Sequence, residues 1–163
     1  MNKEEIYELL ESYGIKYEVT EHEAVFNMEE TKEVNLPYPD CMAKNLFVRD
    51  NRKRNYYMIT VRGDKRVNLK DFAHKQNLKA LQFASAADLM KILKLDPGSV
   101  TPFGLLNDTE GKVILFVDEA FGADLIGVHP NDNTVTIWLK TADLTAIIKR
   151  HGNDVISVKI QEN

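Results

Sequence analysis

A short charged turn separates two apolar segments of the chain and limits the folds that it can adopt. Cys41–Val48 and Tyr56–Val61 are rich in residues that favour strands, and Asp50–Lys53 between them has the composition of a turn. Parallel neighbours need a connection of about a dozen residues or more, whereas antiparallel neighbours can be joined by a tight turn. We therefore predict that the two segments form an antiparallel β-hairpin.

Helix and strand signals are interspersed over the rest of the chain. Asn2 and Gly14 are placed to start and stop a first helix, Ser85 starts another, and Thr141 and Gly152 bound the last one. Further predicted elements are a short helix with a capping box at Asn27 and Glu30, a helix at Asn68–Lys75, and strands at Tyr17–Val19, Val113–Val117, Thr134–Leu139 and Val155–Ile160. Because several strand pairs are joined too tightly for a parallel crossover, we expect an α/β fold with a mixed, mostly antiparallel sheet covered by helices.

Length and composition are those of one compact domain over residues 1–163. The chain is 44% hydrophobic and 28% charged, which is ordinary for a soluble globular protein with a real core. No apolar run approaches the roughly 20 residues that span a bilayer, so we expect no membrane partner. Cys41 is the single cysteine, and Met1–Glu5 has no signal-peptide pattern. We therefore expect a cytoplasmic protein.

The charge of the chain is unevenly distributed. Its net charge is −4, yet residues 44–79 contain 11 Lys and Arg against three Asp. A basic segment in an acidic protein can attract a polyanion such as nucleic acid to one face and repel it elsewhere. The alternative is a set of solvated loops and helix faces.

Lys44 and Asn45 are polar residues within an apolar strand. A lysine there must reach solvent, find a partner or bind an anion, and a lysine at a strand end that extends outward is the alternative to a functional one. Adjacent residues of a regular strand face opposite ways, so Lys44 and Asn45 can share a pocket only if the strand ends or bulges there.

His129 is the one histidine at an abrupt junction beside an apolar segment. His22 lies among charged residues, His74 in a basic helix, and His151 just before a helix stop. A histidine held by a loop carbonyl is the alternative to a functional His129. The four histidines and the cysteine have no zinc-like spacing, and the sequence has neither a nucleophile elbow nor a phosphate-binding loop.

Gly98–Asp108 is a loop rich in Gly and Pro that also carries hydroxyl and amide groups between two apolar regions. Such a loop is typical of a site where the backbone is placed for a ligand. Together with Lys44–Phe47 and His129–Asn133, the loop resembles the YbaK/ProX family of freestanding prolyl-tRNA editing proteins. The order and spacing match over nearly the whole chain, and the Thr101–Phe103 form is most similar to the branch that deacylates alanyl-tRNA(Pro).

The resemblance implies a compact editing domain that hydrolyses the ester between a wrong amino acid and tRNA(Pro), without a metal or other cofactor. It implies a catalytic role for Lys44, Gly98 and His129. It implies substrate contacts for Asn45, Ser99, Thr101, Pro102 and Phe103. The basic segment would lie beside the acceptor stem, with tRNA contacts from Arg49, Arg52, Lys53, Arg62, Lys65 and Arg66.

In this interpretation Lys44 binds the terminal adenosine phosphate or polarises the ester. His129 anchors the aminoacyl end or acts as a base, and backbone amides of Gly98–Pro102 stabilise the oxyanion. The partners are aminoacyl-tRNA(Pro) and prolyl-tRNA synthetase. Two alternatives stay open: cysteinyl-tRNA(Pro) as the substrate, and a non-catalytic tRNA-binding or regulatory module on the same fold.

Overall fold

The computed structural model describes residues 1–24 and 35–161, and the capping box predicted at Asn27 and Glu30 lies outside them. The helices in the described ranges are α1 (Lys3–Ser12), α2 (Leu69–Lys75), α3 (Ala86–Leu93) and α4 (Thr141–His151). The strands are β1 (Tyr17–Glu21), β2 (Ala43–Asp50), β3 (Tyr56–Arg62), β4 (Leu81–Phe83), β5 (Val113–Asp118), β6 (Leu125–Val128), β7 (Val135–Lys140) and β8 (Val155–Val158). No helix of this described part is long and apolar enough to cross a membrane.

The strands form two sheets. A five-stranded sheet has the order β4-β2-β3-β5-β8, in which the pairs that involve β2 are antiparallel and the pairs that involve β5 are parallel. A three-stranded sheet has the order β1-β7-β6 and is antiparallel throughout. The α/β class and the mixed, mostly antiparallel pairing are thus confirmed, although the strands are divided between two sheets.

A glycine makes the junction of the two sheets possible. Gly127 of β6 forms an isolated bridge with Met42, just before β2. A Cβ atom at Gly127 would lie 2.4 Å from the ring of Trp138 and 2.9 Å from the sulfur of Met42. Any larger residue would therefore have to displace the Trp138 ring, its neighbour in the same sheet, and the side chain of Met42.

The predicted hairpin between β2 and β3 is organised by a buried carboxylate. Asp50 is 2% exposed and accepts hydrogen bonds from the backbone N–H groups of Arg52 (3.1 Å) and Arg54 (2.9 Å) and from the amide of Asn55 (2.8 Å). Burial opposes ionisation of Asp50, but these hydrogen bonds outweigh it and lower its pKa. The turn therefore has a fixed shape, with Arg52, Lys53 and Arg54 exposed.

The five-stranded sheet separates two apolar cores. One face packs against α1, α3, α4 and the 3-10 helix Pro102–Asn107, and the other packs against α2 and the residues after β8. Alternate residues of β2 belong to different cores: Ala43 and Phe47 face the first, and Val48 faces the second. Since successive side chains of a strand point to opposite faces, β2 presents its polar residues to both sides.

The helix boundaries agree with the local signals except at α4. Asn2 forms a full capping box with Glu5, and Asn68 and Ser85 cap α2 and α3. The prediction that Thr141 caps the last helix is wrong: the N-cap is Lys140, without a side-chain cap. The Thr141 hydroxyl instead donates to the carbonyl of Asp124 (2.9 Å), because β7 runs directly into the helix.

Candidate functional site

Asn45 links the middle of the sheet to the Gly98–Asp108 loop. Its Oδ1 accepts a 2.7 Å hydrogen bond from the hydroxyl of Thr60, its partner on β3, and its Nδ2 donates a longer bond of 3.4 Å to the carbonyl of Val100. Because a carbonyl can only accept, the contact with Val100 fixes which end of the amide faces the loop. The polar residue in the apolar strand is therefore half-buried and has a defined orientation.

The loop has an accessible half and a buried half. Gly98 and Ser99 are half-buried in the 3-10 turn Pro97–Ser99, whereas Thr101, Pro102 and Phe103 are buried. The Thr101 hydroxyl donates a 2.6 Å hydrogen bond to the carbonyl of His129 and caps the following 3-10 helix. Phe103 lies in the first core, so its side chain supports the loop from below.

His129 is held in one tautomer. Its Nδ1 lies 2.7 Å from the carbonyl of Val135, and since a carbonyl can only accept, Nδ1 carries the hydrogen. Burial lowers the pKa of His129, the hydrogen bond to Val135 opposes that shift, and the neighbouring His22 adds to it. Near neutral pH the ring is therefore uncharged, and Nε2 presents a lone pair.

His22 is a site residue that the sequence analysis passed over. Its ring centroid lies 5.9 Å from that of His129. The two residues are far apart in sequence, and they meet because β1 pairs with β7 in a register that places Glu21 opposite Val135. The charged residues around His22 gave no sign of its contact with His129. Only knowledge that β1 pairs with β7 would have predicted that contact.

Lys44 lies on the other face of β2 from Asn45. The pairing of β2 with β3 is continuous, with Lys44 opposite Val61 and Asn45 opposite Thr60, so no bulge turns the two side chains to one side. The Lys44 ammonium donates a 2.6 Å hydrogen bond to the carbonyl of Lys65. The structure thus brings Asn45, the loop and His129 together and leaves Lys44 across the strand.

The ammonium of Lys44 is partly desolvated. Burial lowers the pKa of Lys44, Asp64 opposes this shift, and Arg66 adds to it. Arg66 is exposed, and its charge is close enough to lower the pKa of Lys44. Together they form a small cationic region of the kind that can bind a phosphate.

The six basic residues assigned to tRNA divide into two groups. Three form ion pairs within the protein: Arg49 with Asp88 (3.9 Å), Arg62 with Asp124 (2.8 Å) and Lys65 with Asp118 (2.7 Å). The other three, Arg52, Lys53 and Arg66, are exposed and form no ion pair with any residue that the structure describes. The side chains of the first group are therefore engaged within the protein, and those of the second are available to a polyanion.

The arrangement suits polar recognition and activation of water. It offers the Nε2 lone pair of His129, one further N–H of the Asn45 amide, and the backbone of Gly98–Val100. Within residues 1–24 and 35–161, no group of three or more His, Cys, Asp or Glu could hold a metal ion. The groups at hand bind and orient a ligand rather than attack it directly.

Comparison with known proteins identifies the class of protein to which this chain belongs. Residues 22–147 match the aminoacyl-tRNA editing domain, and the match begins at His22. The prolyl-tRNA editing protein ProX of Acetoanaerobium sticklandii is 35% identical over 159 residues, which cover 97% of each chain. The prolyl-tRNA synthetase associated domain-containing protein 1 of Bos taurus is 33% identical over 159 residues, covering 94% of this chain and 92% of its own.

Solved structures share the fold. One, of a protein described as a candidate trans-editing enzyme for prolyl-tRNA synthetase, aligns with a TM-score of 0.70 at 16% identity over 99% of this chain and 97% of its own. Another, of the hypothetical protein APE2540, has a TM-score of 0.69 at 17% identity over 96% of this chain and 99% of its own.

The fold and the matches define an aminoacyl-tRNA editing protein. More specifically, the chain belongs to the aminoacyl-tRNA editing domain family, with prolyl-tRNA editing proteins among its relatives. The family resemblance found in the sequence is thereby confirmed.

Proposed function

We propose that this protein is a hydrolase that removes alanine from mischarged tRNA(Pro) without a metal ion. The observation that carries the proposal is the 2.6 Å hydrogen bond from Thr101 to the carbonyl of His129, which joins the Gly98–Val100 backbone to an uncharged imidazole. The names of the relatives support tRNA(Pro) as the acceptor. The form of the loop supports alanine as the amino acid.

His129 is suited to bind the aminoacyl end. An α-ammonium donates hydrogen bonds, and the Nε2 lone pair of the neutral imidazole accepts one. We assign His129 to this anchoring role, because Nδ1 is already bound to Val135 and fixes the direction of the ring. In that position the ester carbonyl would face the Gly98–Val100 backbone, whose N–H groups would stabilise the oxyanion as water attacks.

We assign Lys44 to the nucleotide rather than to the ester. Lys44 and Asn45 face opposite sides of β2, and β4 pairs only with the far end of that strand, at Val48–Asp50. The terminal nucleotides of the tRNA would pass around this edge, with the aminoacyl group on the Asn45 side and a phosphate on the Lys44 side. Arg66 would contact the same backbone.

Deacylation of alanyl-tRNA(Pro), with prolyl-tRNA(Pro) and cysteinyl-tRNA(Pro) in parallel, tests the proposal. Repeating the assay with EDTA tests independence from metal. Rapid loss of alanine alone supports it, because a pocket made for the smaller residue excludes proline. Rapid loss of cysteine alone would show that the substrate is cysteinyl-tRNA(Pro) and not alanyl-tRNA(Pro). Binding of the three aminoacyl-tRNAs without hydrolysis of any of them would show that the protein is a tRNA-binding module and not an enzyme.

A further inference from the structure

Three successive residues at the start of β7 hold two imidazoles. Val135 accepts from Nδ1 of His129 at 2.7 Å. The carbonyl of Thr134 accepts from the backbone N–H of His22 at 2.9 Å, and the hydroxyl of Thr136 lies 2.8 Å from Nε2 of His22. The two ring planes are inclined at 59°.

The two rings differ in what they leave for a ligand. Nδ1 of His22 donates to the carbonyl of Glu23 (2.7 Å), so in the neutral ring Nε2 accepts from the hydroxyl of Thr136, which is fully buried. Both nitrogens of His22 are thus used within the protein. By contrast, no hydrogen bond to Nε2 of His129 comes from the described part of the chain. His22 is therefore fully bonded within the described chain, whereas His129 keeps Nε2 as an acceptor for a ligand.

Few charged groups of the described residues lie near the two rings, and the turn before β7 is held by hydrogen bonds. Asp132 accepts from the backbone N–H (2.9 Å) and the hydroxyl (2.6 Å) of Thr134 and forms an ion pair with Lys3 of α1 at 3.4 Å. Asp132 favours protonation of His129, in the opposite sense to His22. Glu23, next to His22, is exposed.

We propose that His22 is a positioning residue for His129: its ring packs against the His129 imidazole and keeps Nε2 of that ring available as an acceptor. The proposal rests on the proposed function, in which the uncharged His129 binds the aminoacyl group. A positive charge on either ring raises the free energy of placing a second one on its neighbour. His22 therefore helps to keep Nε2 of His129 an acceptor as the pH falls.

The test compares His22→Gln with the wild-type protein in two measurements. The first is the pH profile of kcat/KM for deacylation. The second is the NMR titration of the His129 ring, assigned with His129→Gln, which needs no substrate. His74→Gln, on the exposed side of α2, is the matched control. His22→Asn, which also removes the imidazole, is the second variant in case His22→Gln does not fold.

We expect kcat/KM to fall about tenfold in His22→Gln, as a displaced binding group does. We also expect the acidic limb of the profile and the titration of His129 to move to higher pH, since the like charge is removed. His74→Gln should match the wild type. An unchanged titration of His129 in a folded His22→Gln or His22→Asn protein would overturn the proposal, even with reduced activity. Failure of the wild type to hydrolyse any aminoacyl-tRNA would refute the function, while the titration would still decide the role of His22.

Discussion

The hydroxyl of Thr101 donates to the carbonyl of His129 over 2.6 Å, although 28 residues separate them. This bond joins the Gly98–Asp108 loop to the segment that follows β6, and Thr101 has no exposed surface. The positions of the loop backbone and of the imidazole are therefore coupled.

Replacing Thr101 with Val should loosen that coupling. The change keeps the shape of the side chain and leaves the partly buried carbonyl of His129 without this donor, so the free energy of unfolding should fall by about 1–3 kcal/mol. Deacylation should fall more than stability alone explains, because the loop and His129 no longer share one position. Urea unfolding and single-turnover hydrolysis measure the two effects. Thr145→Val removes an exposed hydroxyl bond to Ala142 on α4 and should change neither.

The pH dependence should reflect the lowered pKa of His129. Activity should stay constant as the pH falls through about 6.5, the usual range of histidine, and decline only below it, when His129 is protonated. Stability should begin to fall at higher pH than activity, because the unfolded chain takes up the proton first. Measuring the deacylation rate and the melting temperature from pH 5 to pH 8 compares the pH dependence of activity with that of stability. A rate that follows an ordinary histidine would contradict the shift.

Lys44→Ala should separate the two assignments of the lysine. If Lys44 binds a phosphate, kcat/KM should fall tenfold or more for alanyl-tRNA and stay nearly unchanged for an alanyl ester of adenosine that has no phosphate. Lys149→Ala, on the exposed side of α4, is the control. Equal losses with both substrates would show that Lys44 acts on the ester.

Two glycines should respond differently to a methyl group. Gly127→Ala places Cβ against Trp138 and should lower the free energy of unfolding by about 1–3 kcal/mol or more. Gly98→Ala, in a half-buried turn, should leave stability nearly unchanged and slow deacylation, because the backbone can no longer approach the ester. A normal rate in folded Gly98→Ala would remove this loop from the mechanism.

Substitutions in the two groups of basic residues should have different effects, one on tRNA binding and the other on stability. Substituting the exposed Arg52, Lys53 and Arg66 with Gln should weaken tRNA binding and reduce the slope of log K against log salt, by about one for each lost phosphate contact. Substituting Arg62 or Lys65 should mainly lower stability, because each holds a carboxylate. A salt slope unchanged in the triple variant would place the RNA on another face.

Local signals predicted most of the fold. The β2–β3 hairpin, the caps at Asn2 and Ser85 and the helix that begins next to Asn68 depend on residues close in sequence, and all are present. The strands β4 and β6 were not predicted, because three or four residues without clear alternation give too little pattern. Division into two sheets was also not predictable, since it depends on pairing between strands far apart in the chain, such as β1 with β7.

The candidate site was predicted less completely for the same reason. Sequence motifs indicated Asn45, the loop and His129, and the structure brings these together. They could not indicate His22, which reaches His129 only through strand pairing. Nor could they show that Arg49, Arg62 and Lys65 already have carboxylate partners, because each partner lies far along the chain.

The continuous register of β2 has a consequence for how such a protein can diverge. Under the proposed function, substitutions on the Asn45 side would alter which amino acid is accepted, and substitutions on the Lys44 side would alter how the nucleic acid is held. The two faces of β2 pack against different cores, so a change on one face need not disturb the packing of the other. One strand therefore lets the two specificities be inherited, lost or re-engineered separately.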